Sequence, residues 1–179
     1  PKIKFNSNKL LLIDYIENNN IKDKNYQIIL AEEILKIHQN THEKYGFKFD
    51  SQIGALKQKN EFTDNWDIFF RDKRLNSIFE LINNDNPMES HINQRIEKLL
   101  KNIHNLIPNN PIPRLLHGDL WAGNILYNNG KLVGLIDPGI FFGHNELEIA
   151  YLTWFNFVNE EFIKIYSNII TIEKDYFEY

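Results

Sequence analysis

The sequence predicts a mainly α chain with a small β-hairpin, an α+β fold made as one mostly helical unit. Three observations lead there. Apolar residues recur at helical spacing in four stretches, two short apolar runs flank Asn128-Asn129-Gly130, and Pro108, Pro111 and Pro113 separate the helical part from that turn.

Taken in order, Lys9-Leu10-Leu11-Leu12-Ile13-Asp14-Tyr15-Ile16-Glu17 is a short apolar run followed by Asn18-Asn19-Asn20. Its length suits a buried strand, with the asparagines as its turn. Only eight residues precede it, so its sheet partners are expected from elsewhere. Residues 26–39 place Ile29, Leu30, Ile34, Leu35, Ile37 and His38 at helical spacing. Residues 43–65 are mixed and read as a long loop. Residues 66–81 return to helix, with Trp66, Phe69, Phe70, Leu75, Ile78 and Phe79 as core. Ser90 is the expected N-cap of a helix through Ile92, Ile96, Leu99, Leu100 and Ile103. Ile125-Leu126-Tyr127 and Leu132-Val133-Gly134-Leu135-Ile136 then form the hairpin. From Glu146 helix resumes, with Leu147, Ile149, Ala150, Leu152, Trp154 and Phe155 expected inside, and the chain ends at Tyr179 without a capping signal.

A length of 179 residues suffices for one substantial domain, and an apolar share of 42% is too high for a disordered chain. Lysines and arginines are scattered over a chain of net charge −4, which argues against a nucleic-acid partner. The absence of cysteine excludes disulfides, a thiol nucleophile and Cys-ligated zinc. No apolar run approaches the ~18 residues that span a bilayer, and the N-terminus lacks a signal-peptide layout. No membrane association and a cytoplasmic location are therefore expected.

The chemistry concentrates within twenty residues. Asp119 opens a polar loop, Asn124 closes it, and Asp137 ends the second hairpin strand. A hairpin folds back on itself, so Asn124 and Asp137 flank neighbouring ends and can converge on one ion. Magnesium takes hard oxygen donors, commonly one or two side chains with phosphate oxygens and water. Phosphoryl transfer needs such ligands and a group to orient the acceptor hydroxyl, a role open to Asp119.

His117-Gly118-Asp119-x4-Asn124 followed by Ile136-Asp137-Pro138 resembles the signature of the aminoglycoside-phosphotransferase and choline-kinase superfamily, which shares the protein-kinase fold. Within it, His117-Gly118-Asp119-Leu120-Trp121-Ala122-Gly123-Asn124 and the stretch from Asp137 through Gly143-His144 to Ala150 are most similar to the fructosamine-kinase (ketosamine-kinase) family. The stretch from Asn60 to Phe70, followed by Arg74-Leu75, resembles a second motif of that family. The likeness runs from about residue 9 onward.

The resemblance implies an ATP-dependent kinase acting on the sugar hydroxyl of a small-molecule ketosamine or a glycated lysine, with Mg2+. Asp119 would be the catalytic base, and Asn124 and Asp137 the metal ligands. Asp14, Tyr15, Ile16 and Glu17 would form the hinge that meets adenine. His117 would brace the loop, and Glu148 would accept hydrogen bonds from its backbone. Trp121 and His144 are the candidates for the sugar-amine site, although Trp121 serves equally well as loop packing. The remaining histidines, His38, His42, His91 and His104, lack metal-ligand spacing and read as helix-surface or helix-end residues.

The family's glycine-rich loop and phosphate-binding lysine have no counterpart here. The implied architecture is the C-terminal lobe of a protein-kinase-like fold: residues 1–20 as the last N-lobe strand and hinge, and 21–179 as a helical lobe shortened at its C-terminal end. Two other readings stay open: a phosphotransferase for aminoglycosides or choline, and a non-catalytic remnant that only binds.

Overall fold

The computed structural model describes residues 1–7 and 10–173. Lys9, at the head of the first apolar run, and the chain end at Tyr179 lie outside that range. The architecture is α+β, with more strand than the sequence suggested: four antiparallel two-stranded ribbons among six α-helices in the described residues.

The first apolar run departs from expectation. Strand β2 (Leu11–Ile13) pairs with β1 (Ile3–Asn6), so its partner is local. It is also not buried, since Leu11 is 56% exposed and Phe5 and Leu12 are similar. Among the described residues the two short strands pair only with each other, and a two-stranded ribbon of that length buries little of either face. Helix α1 (Tyr26–His38) follows as expected and places Leu30, Ala31, Ile34, Leu35 and His38 on one buried face.

The segment read as a long loop contains a hairpin, β3 (Ser51–Ile53) with β4 (Leu56–Gln58), turned by Gly54 at positive φ. The next helix is longer than predicted and is interrupted. It runs as α2 (Trp66–Phe70), a π-helical turn (Arg71–Leu75) and α3 (Asn76–Asp85). Helix α4 (Ser90–Asn102) starts at Ser90 itself; Glu89 holds the cap position and no side chain caps the end.

The hairpin is as read, β6 (Ile125–Asn128) and β7 (Lys131–Leu135), with Asn129 and Gly130 both at positive φ. That pair of dihedrals matches the right-handed twist of the strands it joins. A second ribbon encloses it: β5 (Arg114–Leu116) pairs with β8 (Phe141–Gly143). The chain order β5, loop, β6, β7, loop, β8 therefore sets the two connecting loops, 117–124 and 136–140, side by side between the ribbons. This nesting positions the site.

Helix α5 (Asn145–Trp154) buries Ile149, Ala150 and Leu152, but Trp154 is 77% exposed and Phe155 also faces out. Both stand at its final turn, past the face that meets the core. Helix α6 (Glu160–Ser167) is capped by Asn159, whose side chain accepts from the Glu161 and Phe162 amides. One core joins α1, β6, α5 and α6 around Leu30, Ile34, Tyr127, Ile149 and Phe162. The other gathers Tyr45, Trp66, Phe69, Leu116 and Phe141. Leu120 belongs to the first core and Leu116 to the second. The 117–124 loop is thus pinned at its start and its middle by side chains whose burial is worth about 1.5–3 kcal/mol each.

Candidate active site

Two backbone contacts hold the loops together. The Ile136 amide donates to the Asn124 carbonyl at 3.0 Å, closing the open end of the hairpin. Gly118, at φ +82°, lies so close to Gly139 that a Cβ would collide with the Gly139 carbonyl oxygen. Only glycine allows that approach in that conformation.

Asp119, Asn124 and Asp137 are brought together on these loops. The Asn124 side-chain amide donates to the Asp119 carbonyl at 2.8 Å and to its carboxylate at 3.2 Å. With its nitrogen so used, Asn124 keeps its amide oxygen for another partner. Asp137 is exposed, has no hydrogen bond or ion pair among the described residues, and sits at φ +53°. A left-handed aspartate is strained, and such strain gathers at functional sites. The Ile136 bond to Asn124 brings the backbone of Asp137 close to Asn124, and an amide oxygen and a carboxylate are the kinds of donor a hard divalent cation takes. Among the described residues no three of His, Cys, Asp and Glu cluster as metal ligands. A two-residue site completed by phosphate oxygens needs no such cluster.

Glu148, buried on α5, accepts from the His117 amide at 3.1 Å and the Gly118 amide at 2.7 Å. Burial pushes its carboxyl up, but the His38 hydrogen bond, the electrostatic attraction of the His38 and His117 rings and the Gly118 amide outweigh it. The net result is a pKa below the ordinary value. His38, read as a helix-surface or helix-end residue, does end α1 but is fully buried, and its Nε2 lies 2.9 Å from Glu148. The His117 ring accepts weakly from the Asp119 amide at 3.4 Å, while its Nε2 is buried without a hydrogen-bond partner.

The 14–17 segment carries no regular structure and lies against the hairpin. Ile16 packs over Gly134, and the Asn19 and Asn20 amides both donate to the Tyr127 carbonyl. Trp121 is half-exposed and its ring covers Gly123. A cavity of about 640 Å3 opens beside Asp119, walled by Phe70, Arg74, Leu116, Leu147, Tyr151 and Trp154. Neither Trp121 nor His144 lines it.

His144 sits instead in the second core, edge-on to Trp66. Burial, with the Arg114 charge nearby, pushes its imidazole down to about 4. Glu146, 3.9 Å away, is itself pushed up by burial and offsets little. The unfolded chain thus takes up this proton first as pH falls. Stability should be complete above pH 6.5 and lost progressively towards pH 4, by roughly 2–3 kcal/mol. Thermal unfolding midpoints across that window check this, and His144→Asn should flatten the dependence.

Arg74 went unassigned in the sequence because its partners lie on a different element. The π-helical turn carries it inward, where it donates to the Lys59 carbonyl and the Asn60 side chain and stacks over Phe141.

The sequence profile of the fructosamine kinase family matches residues 4–178. The probable ketoamine kinase of Enterococcus faecium is 33% identical over 168 residues, covering 92% of this chain and 58% of that protein. The chloroplastic protein-ribulosamine 3-kinase of Arabidopsis thaliana is 32% identical over 153 residues, 84% of this chain and 46% of that protein. The crystal structure of a provisionally named fructosamine-3-kinase from Haemophilus somnus superposes with a TM-score of 0.80 at 26% identity, covering 94% of this chain and 56% of that one. APH(2″)-IIa, from its gentamicin complex, shares the fold at a TM-score of 0.58 and 18% identity, over 99% of this chain and 58% of its own. The chain therefore spans about half the length of the relatives it matches. Matched by the family profile over nearly all its residues, the chain belongs to the fructosamine kinase family.

Proposed function

We propose that the chain contributes the catalytic and metal-binding half of an ATP-dependent kinase that phosphorylates a sugar hydroxyl of ketosamines, free or attached to a lysine. In this reading residues 21–179 are the helical lobe of a protein-kinase-like fold, and residues 14–17 are the hinge against which adenine lies. One observation carries it: Asn124 and Asp137 flank the open end of one hairpin, and Asn124 holds the Asp119 carboxylate beside a cavity large enough for a sugar.

Asp119 would accept the proton of the sugar hydroxyl as it attacks the terminal phosphate, and its bond to Asn124 fixes the carboxylate for that task. Asn124 and Asp137 would hold magnesium, which neutralises charge on the nucleotide phosphates. Glu148 orients the loop from beneath, and the cavity beside Asp119 takes the acceptor. The relatives named as ketoamine and ribulosamine kinases favour a ketosamine as that acceptor.

Incubating the protein with ATP, magnesium and fructosyl-lysine should yield a phosphorylated sugar by phosphorus NMR. Asp119→Asn should lower kcat by about 100- to 10,000-fold while ATP still binds. Turnover of an aminoglycoside or choline, with none of a ketosamine, would overturn the acceptor assignment. Magnesium-dependent ATP binding with no turnover of any acceptor would make the chain a binding module.

A further inference from the structure

We propose that His38 and Tyr166 are positioning residues of the phosphoryl-transfer loop, acting on it through Glu148. The inference rests on the kinase reading for its purpose, but its geometry stands apart from it. The Tyr166 hydroxyl on α6 lies 2.6 Å from Nδ1 of His38 on α1, and Nε2 of His38 lies 2.9 Å from the Glu148 carboxylate on α5. Glu148 in turn receives the amides of His117 and Gly118, the two residues before Asp119. Three side chains from three helices thus form a continuous buried chain that ends on two backbone amides of the loop, with His38 and Tyr166 at 0% exposure and Glu148 at 4%.

Directionality follows from the donors available. A carboxylate only accepts, so His38 must present Nε2–H to Glu148. In the neutral imidazole Nδ1 is then an acceptor, and Tyr166 donates to it. Burial raises the Tyr166 pKa well above its ordinary value, so the phenol keeps the proton that this requires. The hydroxyl therefore selects the histidine tautomer, much as outer partners do for metal-bound histidines. The edge-on ring contact at 5.7 Å holds the imidazole in that orientation.

The consequence concerns a torsion. The last torsion of a glutamate is soft, with no sharp staggered minimum. Two backbone amides alone let the carboxylate and the loop turn together as a unit. The His38 bond to Oε2, the oxygen that also takes the His117 amide, adds a third point fixed to α1. It stops that rotation, and with it the displacement of Asp119 relative to Asn124. Misplacement of a reacting group by about 1 Å is enough to cost two orders of magnitude in rate.

His38→Leu keeps the volume and removes the donor, His38→Gln returns an N–H towards Glu148, and Tyr166→Phe removes only the hydroxyl. Each is to be assayed well below its own melting temperature. His38→Leu should lower kcat by about 10- to 100-fold, with KM for ATP within about twofold of the wild type. His38→Gln should restore most of that loss, and Tyr166→Phe should fall between. Amide hydrogen exchange in the same variants needs no turnover. The Gly118 amide should exchange at least about tenfold faster in His38→Leu, with the buried amides of α1 unchanged. Unchanged exchange at Gly118, or equal loss of protection throughout α1, would overturn the proposal, as would a His38→Gln variant no better than His38→Leu. If the wild-type protein phosphorylates no acceptor, the kinase reading falls while the exchange result still decides the positioning role.

Discussion

Glu148→Ala should destabilise the chain by about 3–5 kcal/mol, the usual cost of removing one partner from a buried charged network. The carboxylate receives the His117 and Gly118 amides and the His38 imidazole at 2.7 to 3.1 Å, in a setting that admits almost no water. Alanine would strand three donors at once, each worth about 1–3 kcal/mol when buried unpaired. Glu148→Gln should lose less, since its amide oxygen can still accept from one donor. The effect depends on acid with a defined sign. The folded carboxyl titrates below the ordinary value of 4.5, so its contribution is complete above that pH and is lost as pH falls through the folded pKa. Urea unfolding at neutral pH should show the full gap between wild type and Glu148→Ala, and the two should approach each other in acid.

Asp137→Gly should separate binding from stability. The residue is exposed, makes no bond among the described residues and occupies a left-handed conformation that glycine adopts freely. Removing the side chain should therefore leave stability unchanged or raise it by up to about 1 kcal/mol. Magnesium-dependent ATP affinity should meanwhile fall by at least about 10- to 100-fold, the range seen when even an outer partner of a metal ligand is lost. Calorimetric titration alongside thermal unfolding reads both quantities. A variant that is both less stable and unaltered in affinity would mean that the aspartate serves the turn rather than an ion.

The parts of the fold legible in the sequence are those encoded by neighbours. The Asn129-Gly130 turn, with apolar residues on both sides, declares the β6–β7 hairpin, and the buried face of α1 shows in its spacing. The polar positions at Asp119, Asn124 and Asp137 were visible as a set because the hairpin joins them directly. What was hidden depends on distant partners. Strand β8 is three residues long and becomes a strand only by pairing with β5. His38 looked like a helix-end residue because the sequence cannot show that Glu148 and Tyr166 meet it from two other helices. The exposed β1–β2 ribbon misled for a related reason: an apolar run says that burial is favourable, not that a partner layer lies over it. Trp154 and Phe155 continue the apolar pattern of α5, yet stand outside both cores.

Asn124 and Asp137, as proposed, converge on one metal ion carried by a nucleotide. Titrating the 15N-labelled chain with manganese and ATP tests it directly, because the paramagnetic ion broadens amide signals nearest to it. Broadening should centre on the amides of Asn124, Asp137 and the adjoining residues 118–119, depend on ATP and be abolished in Asp137→Gly. Broadening centred elsewhere, or undiminished in that variant, would contradict that convergence.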